Sequence, residues 1–261
     1  MSLHLTVSSD SFEAFGPSHR VALAALLVGL AGLVWIGRRL RGTSAEKRMS
    51  RGLAVAVLVV MVPLQALYFT PAYFDWKHTL PFQLCDVASL VAVYALWKLR
   101  PAAVALTYYW GLTLTTQAII TPDLGSDFPD PVFILFWAMH LLVVWAAAYL
   151  TWGLGLTPTW RTFRQAVACT VAWAVTVFAF NAVAGTNYGY LNGKPANPSV
   201  LDFLGPWPGY VAAEITIVAI IWALITWPWM TRSAGTATPQ TTPRSLPSGA
   251  SPWKSSTHEP S

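Results

Sequence analysis

Seven predominantly apolar runs follow one another along the chain, separated by short polar stretches. They lie at about Val21–Gly37, Gly52–Phe69, Leu80–Trp97, Ala102–Ile120, Val132–Thr151, Phe163–Ala184 and Tyr210–Trp229. Each is near the ~20 residues with which a tilted helix crosses a bilayer. Prolines stand at the predicted edges, among them Pro71, Pro81, Pro101, Pro122, Pro131, Pro158 and Pro206. The missing proline N–H is tolerated there but not in a helix interior. Pro63 falls inside the second run and predicts a kink. The first run lacks the basic lead-in of a signal peptide. Asp10 and Glu13 precede it, Arg20 is its first base, and it ends in Arg38, Arg39 and Arg41, so it reads as a retained anchor. From Ser233 the chain is rich in Ser, Thr, Pro and Gly with no apolar period, which predicts a disordered tail.

The pattern therefore predicts an all-α membrane bundle. Its parts are an outer segment over residues 1–17, a seven-helix transmembrane domain over 18–231 and a cytoplasmic tail over 232–261. Composition agrees, with 55% of the 261 residues hydrophobic and 10% charged. A soluble domain carries about 25% charged residues. The 14 tryptophans and 9 tyrosines suit headgroup zones.

Charge fixes the expected orientation. Of the 16 Lys and Arg residues, all but Arg20, Lys77 and Lys194 fall in alternate loops or the tail. The positive-inside rule puts that side in the cytoplasm, so the N-terminus lies outside and the C-terminus inside a cell membrane. The formal charge of +5 is thus a topology signal and not a nucleic-acid surface. Membrane lipids are the expected partners, and the pattern specifies no oligomeric state. Cys85 and Cys169 are expected near opposite faces, too far apart for a disulfide.

Polar side chains are costly in hydrocarbon, so they face a bundle interior or a wet cavity. The third run opens with Gln83, Cys85 and Asp86, followed by Ser89, within one helical arc. The fourth carries Tyr109, Thr113, Thr116 and Gln117 at spacings that predict one stripe. The second contributes Gln65, the fifth His140, the sixth Asn181 and the seventh Glu214. Nearly all fall in the predicted outer half, which points to a polar pocket opening outward. Bland readings exist for each: paired structural acids for Asp86 and Glu214, interhelical bonding for His140 and the amides, simple packing for Cys85. No phosphate-binding glycine loop, no Gly-x-Ser-x-Gly elbow and no zinc-spaced His/Cys pair occurs, and no metal or cofactor is expected.

Several segments carry a resemblance. Phe15-Gly-Pro-Ser-His19, Leu80-Pro-Phe-Gln-Leu-Cys85, His140 within its helix, Thr186-Asn-Tyr-Gly-Tyr-Leu-Asn-Gly-Lys-Pro195 and Leu201-Asp-Phe-Leu-Gly-Pro-Trp-Pro208 together resemble the YwaF-like bacterial integral membrane family. The likeness covers roughly residues 12–230. That family is distantly similar to a eukaryotic transmembrane family described as a cysteine-dependent acyltransferase acting on polyunsaturated ether phospholipids, itself similar to membrane hydrolases of fatty-acid esters. The resemblance implies Cys85 as nucleophile and His140 as base. It brings Asn187 and Tyr188 into a substrate-binding set with Gln83, Asp86, Gln117, Asn181 and Glu214. Gln83 departs from the family, which commonly has His there.

Two readings of function arise, with a third beside them. In the first, Cys85 attacks a lipid ester while His140 handles the proton, and Asp86, Gln117 or Asn181 orients the base or serves the oxyanion. At 1.5 Å per residue the thiol sits about 8 Å and the imidazole about 13 Å below the outer edge. In the second, the pocket belongs to a carrier or receptor of a small molecule or lipid, although no broken-helix repeat pair is visible. In the third, the chain is an assembly partner in the envelope.

Overall fold

The protein's structure, a computed structural model, describes residues 11–122, 124–195 and 199–235. Residues 1–10 of the expected outer segment and 236–261 of the expected tail lie outside them. Among the described residues every regular element is helical. The chain runs through α1 (Pro17–Leu40), α2 (Ser44–Tyr68), α3 (Leu84–Lys98), α4 (Pro101–Tyr109), α5 (Thr115–Ile120), α6 (Pro131–Ala148), α7 (Trp160–Ala184) and α8 (Gly209–Gly235). A π-helical turn, Trp110–Leu114, joins α4 to α5, and another, Tyr149–Gly153, extends α6, so the helices form seven rods.

Five rods are long and apolar enough to cross a membrane: α1, α2, α6 with its π turn, α7 and α8. The third expected span falls short. It starts at Leu84 instead of Leu80 and has 15 residues, because other bonds take the backbone of 80–83. The fourth is divided by its π turn. Helix α8 continues to Gly235, past the expected start of the tail. Helix α2 runs through Pro63.

Helix α6 is the axis of the bundle. Of its apolar window 61% is buried, against 11% for α1, as expected of a helix apolar all round. Alanines let the neighbours approach: Ala54 of α2, Ala88, Ala92 and Ala95 of α3, Ala103 and Ala105 of α4, and Ala146 of α6 are buried together. Small side chains serve this role where lipid offers no hydrophobic drive between helices. Val21, Leu27 and Val28 of α1 are 66–74% exposed, which gives that helix a lipid-facing surface.

Glycines dock α1 onto α6. A Cβ on Gly29 would lie 2.1 Å from the Trp145 indole, whose Nε1 donates to Leu26 O at 3.0 Å. A Cβ on Gly37 would lie 2.7 Å from Gly153 Cα. Arg41 donates to Gly153 O through Nε at 3.2 Å and Nη2 at 2.7 Å, answering a carbonyl at the end of the π turn. At the other end of α1, buried His19 accepts from Phe15 N at 2.9 Å with Nδ1, which leaves Nε2 to donate to Ile119 O at 2.9 Å.

Gly29→Ala is expected to lower stability by about 1–3 kcal/mol through overpacking against Trp145. Gly32 meets nothing within 4 Å, so Gly32→Ala should be neutral or stabilising. Thermal unfolding in detergent, followed by tryptophan fluorescence, separates the two. Equal midpoints for both variants would rule out the Gly29 notch as a docking contact.

Candidate functional site

The site is built around the start of α3. Leu80-Pro-Phe-Gln83 is non-helical, and several of its polar groups meet partners from elsewhere. Gln65 of α2 donates to Thr79 O at 2.6 Å. Tyr188 OH accepts from Leu80 N at 3.0 Å and donates to Trp76 O at 2.7 Å. Trp173 of α7 donates to Phe82 O at 3.2 Å, and the Phe82 ring stands edge-on to Phe180 and Tyr188. Gln83, the N-cap residue, accepts from Gly189 N at 2.9 Å. This seats Cys85 and Asp86 in the first helical turn. The N–H groups of Leu84 and Cys85 take no acceptor among the described residues, as the first turn of a helix leaves them.

The partner loop is organised by Asn181. Its Nδ2 donates to Tyr188 O and Asn192 Oδ1, each at 2.9 Å. Its Oδ1 accepts from Thr186 Oγ1 at 2.8 Å and Tyr188 N at 2.9 Å. An Asn amide has two donors and two acceptor sites, so all are filled. Helix α7 stops just beyond, at Gly185 in the left-handed region with φ 65°. Asn187 closes the loop on itself, donating to Gly193 O at 2.7 Å and accepting from Asn192 N at 3.0 Å. Gly189 has φ 67°, and a Cβ there would lie 2.5 Å from Trp173. Tyr210 at the start of α8 donates to Tyr190 O. Burial pushes the Tyr188 phenol above its ordinary pKa.

Beneath the loop is a cavity of about 640 Å3. Gln65, Gln83, Cys85, Asp86, Gln117, His140 and Glu214 line it, as does His78 near its exposed side, where it pairs with Asp75 at 3.7 Å. Apolar residues of α7 and α8, among them Val167, Ala174, Val218 and Trp222, complete the wall. Val171, Val175 and Ile215 also line it while 52%, 64% and 57% exposed, so this wall is one side chain thick. His140 is buried, with Nδ1 2.7 Å from Phe136 O and its ring 4.0 Å from that of Phe136. A carbonyl only accepts, so Nδ1 carries hydrogen and the neutral ring keeps its lone pair on Nε2. The Asp86 carboxyl faces the Gln83 backbone N–H, whereas Gln117 and Glu214 make no side-chain hydrogen bond among the described residues.

Six of the nine expected site residues thus meet in one cavity. Asn181, Asn187 and Tyr188 do not line it; their polar groups are taken by the loop and by the backbone before α3. The expected stripe on the fourth rod is also divided. Tyr109 bonds Thr226 at 2.7 Å, Thr113 accepts from Trp222 at 3.0 Å, and Thr116 lines a different cavity, so Gln117 alone reaches this one. The cause is the π turn, whose extra residue rotates the downstream side chains by about 100°. Trp173 and Gly189 were not read from the sequence; a glycine in a polar loop carries no hydropathy signal. Among the described residues no three His, Cys, Asp or Glu are grouped to hold a metal ion, and both cysteines are free.

Asn181→Ala should release the loop, since the amide of Tyr188 and the carbonyl it faces would lose buried partners at about 1–3 kcal/mol each. Amide exchange across 186–193 is expected to accelerate tenfold or more, with exchange in α6 unchanged. An unaltered loop would contradict the pinning role.

The comparisons bear on the whole chain. No curated protein and no solved structure matches it. A family model described as TMEM164 family matches residues 14–226, which contain all seven rods up to the last turns of α8 and every residue of the cavity. With most of its length so matched, the chain is a membrane protein that belongs to the TMEM164 family.

Proposed function

We propose that this protein is an enzyme of lipid-ester chemistry, an acyltransferase or hydrolase, in which Cys85 and His140 act within an intramembrane cavity. One observation carries the reading: thiol and imidazole border a single hollow, and the imidazole has one nitrogen committed to Phe136 O and the other without a partner among the described residues. The Cys85 thiol passes its proton to His140 Nε2, and the sulfur attacks the ester carbonyl. The oxyanion faces the open N–H groups of Leu84 and Cys85 and the Gln117 amide. Collapse expels the alcohol, which takes the proton from the imidazolium and leaves a thioester on Cys85. A second hydroxyl, from water or an acceptor lipid, then gives its proton to His140 and takes the acyl group.

The thin, apolar α7–α8 wall supports a substrate arriving from the bilayer. The resemblance to the YwaF-like family, with its distant cysteine-dependent relatives, supports the roles of Cys85 and His140. Gln83 stands where that family commonly has His, and with its oxygen on Gly189 N it suits positioning α3 more than proton transfer. We assign Asn181, Asn187 and Tyr188 to holding the loop, and Asp86 and Glu214 to substrate contact. The basic-residue pattern supports seven crossings: α3 is short, but its irregular lead-in has backbone groups hydrogen-bonded to Tyr188 and Trp173, as irregular backbone at membrane depth requires. On that topology the N-terminus is outside, the tail cytoplasmic, the cavity outward-facing and the membrane that of the cell.

Two carboxyls, Asp86 and Glu214, lie in the cavity without an ion-pair partner among the described residues and favour a second reading, a carrier or receptor without covalent chemistry. Purified protein incubated with labelled phospholipids decides between them. Cys85→Ser and His140→Ala are each expected to slow acyl release at least about 100-fold. A hydroxylamine-sensitive acyl adduct should form on wild type and not on Cys85→Ser. Equal turnover by all three proteins, or vesicle uptake lost in Glu214→Gln and kept in Cys85→Ser, would overturn the enzyme reading.

A further inference from the structure

A second hollow, of about 560 Å3, shares no lining residue with the first. It is an open groove on the bundle surface between α1 and α6. Leu26, Leu30 and Val34 form one wall, and Val144 and Ala148 the other. Thr116, its polar side chain besides Arg38 and the flanking indoles, turns its hydroxyl to Gly111 O at 3.0 Å, so the floor offers nothing unpaired. From Leu26 to Arg38 the groove follows α1 for roughly 18 Å, about the depth of one leaflet. Its end is marked by Trp35, Trp152 and Arg38. Indoles at that position suit the headgroup level.

The arginines there differ in what they have left to offer. Arg41 is engaged with Gly153 O through two nitrogens. Arg38 is exposed and holds Trp152 O through Nε alone, at 3.2 Å, which leaves its terminal nitrogens for another acceptor. Arg39 lies 5.5 Å over the Trp35 ring at the same rim. Lys47, Arg48 and Arg51 stand in the next helix, with Glu46 tied to Gly42 N at 2.6 Å. We infer that the α1–α6 groove is a binding site for an anionic phospholipid, one acyl chain lying between the helices and the phosphate meeting Arg38 and Arg39. A second copy of the chain is a poorer occupant, because a two-fold contact through this face would bring both sets of arginines together.

Native mass spectrometry of the detergent-solubilised protein, titrated with phosphatidylglycerol and phosphatidylcholine of equal chain length, tests this. Wild type should retain a single phosphatidylglycerol in preference to phosphatidylcholine, by roughly fivefold for each arginine engaged. Arg38→Gln with Arg39→Gln should bring the two lipids to near equality. Ala31→Trp fills the groove from an exposed position and should lose the retained lipid while eluting as a folded monomer. This variant keeps the test decisive if the arginine variant proves unstable. Equal retention of the two lipids by wild type, unchanged retention in Ala31→Trp, or a dimer that Ala31→Trp dissolves would overturn the assignment.

Discussion

Everything about the cavity depends on one buried amide. Asn181 sits where α7 is about to end, and the four bonds it makes curl the succeeding residues back beneath the helix terminus. That curl presents the Tyr188 hydroxyl and the Gly189 amide to the segment before α3. The Leu80 carbonyl accepts from Phe82 N and the Phe82 carbonyl from Trp173, pairings that a helix through 80–83 would not make, so α3 starts at Leu84 and Cys85 arrives in its first turn. The same side chain in water would contribute little; inside a bilayer each backbone group it satisfies has no alternative partner.

The rest of the bundle obeys the same constraint by other means. Where α4 and α6 pass into π turns, carbonyls shift out of the ordinary ladder, and Thr116 and Arg41 supply donors to Gly111 O and Gly153 O. Where helices must touch closely, the sequence supplies alanine or glycine, so that dispersion contacts and not hydrophobic expulsion hold them. Family membership gives the chain a relationship, and the chemistry proposed for it rests on the residues around the cavity.

Much of this was legible in the sequence. Long apolar runs located six of the seven rods to within a few residues at their starts, since hydrocarbon thickness leaves little choice. Cys85, Asp86, Gln117, His140 and Glu214 stood out because a polar group in an apolar helix demands an interior, and a shared depth suggested a shared hollow. Register was not legible. Tyr109, Thr113, Thr116 and Gln117 fit one stripe only if the helix keeps its period, and nothing in Trp110-Gly-Leu-Thr-Leu114 announces an inserted residue. Asn181 resembled a ligand-facing amide because two of its four bonds go to the Tyr188 backbone, which side-chain chemistry along the chain does not reveal. Leu80–Gln83 looked helical because the competing bond to the Phe82 carbonyl comes from Trp173, 91 residues away.

Sequence separation has a further consequence at α1. Its bonds to the bundle all close over long loops: 100 residues from His19 to Ile119, 112 from Arg41 to Gly153, and 119 from Leu26 to Trp145. A ribosome emits α1 before α6, so the Gly29 notch stays vacant until α6 has been synthesised. The apolar surface of α1 suits that interval, and its late capture makes the docking of Trp145 a step in biogenesis as much as a feature of the finished fold.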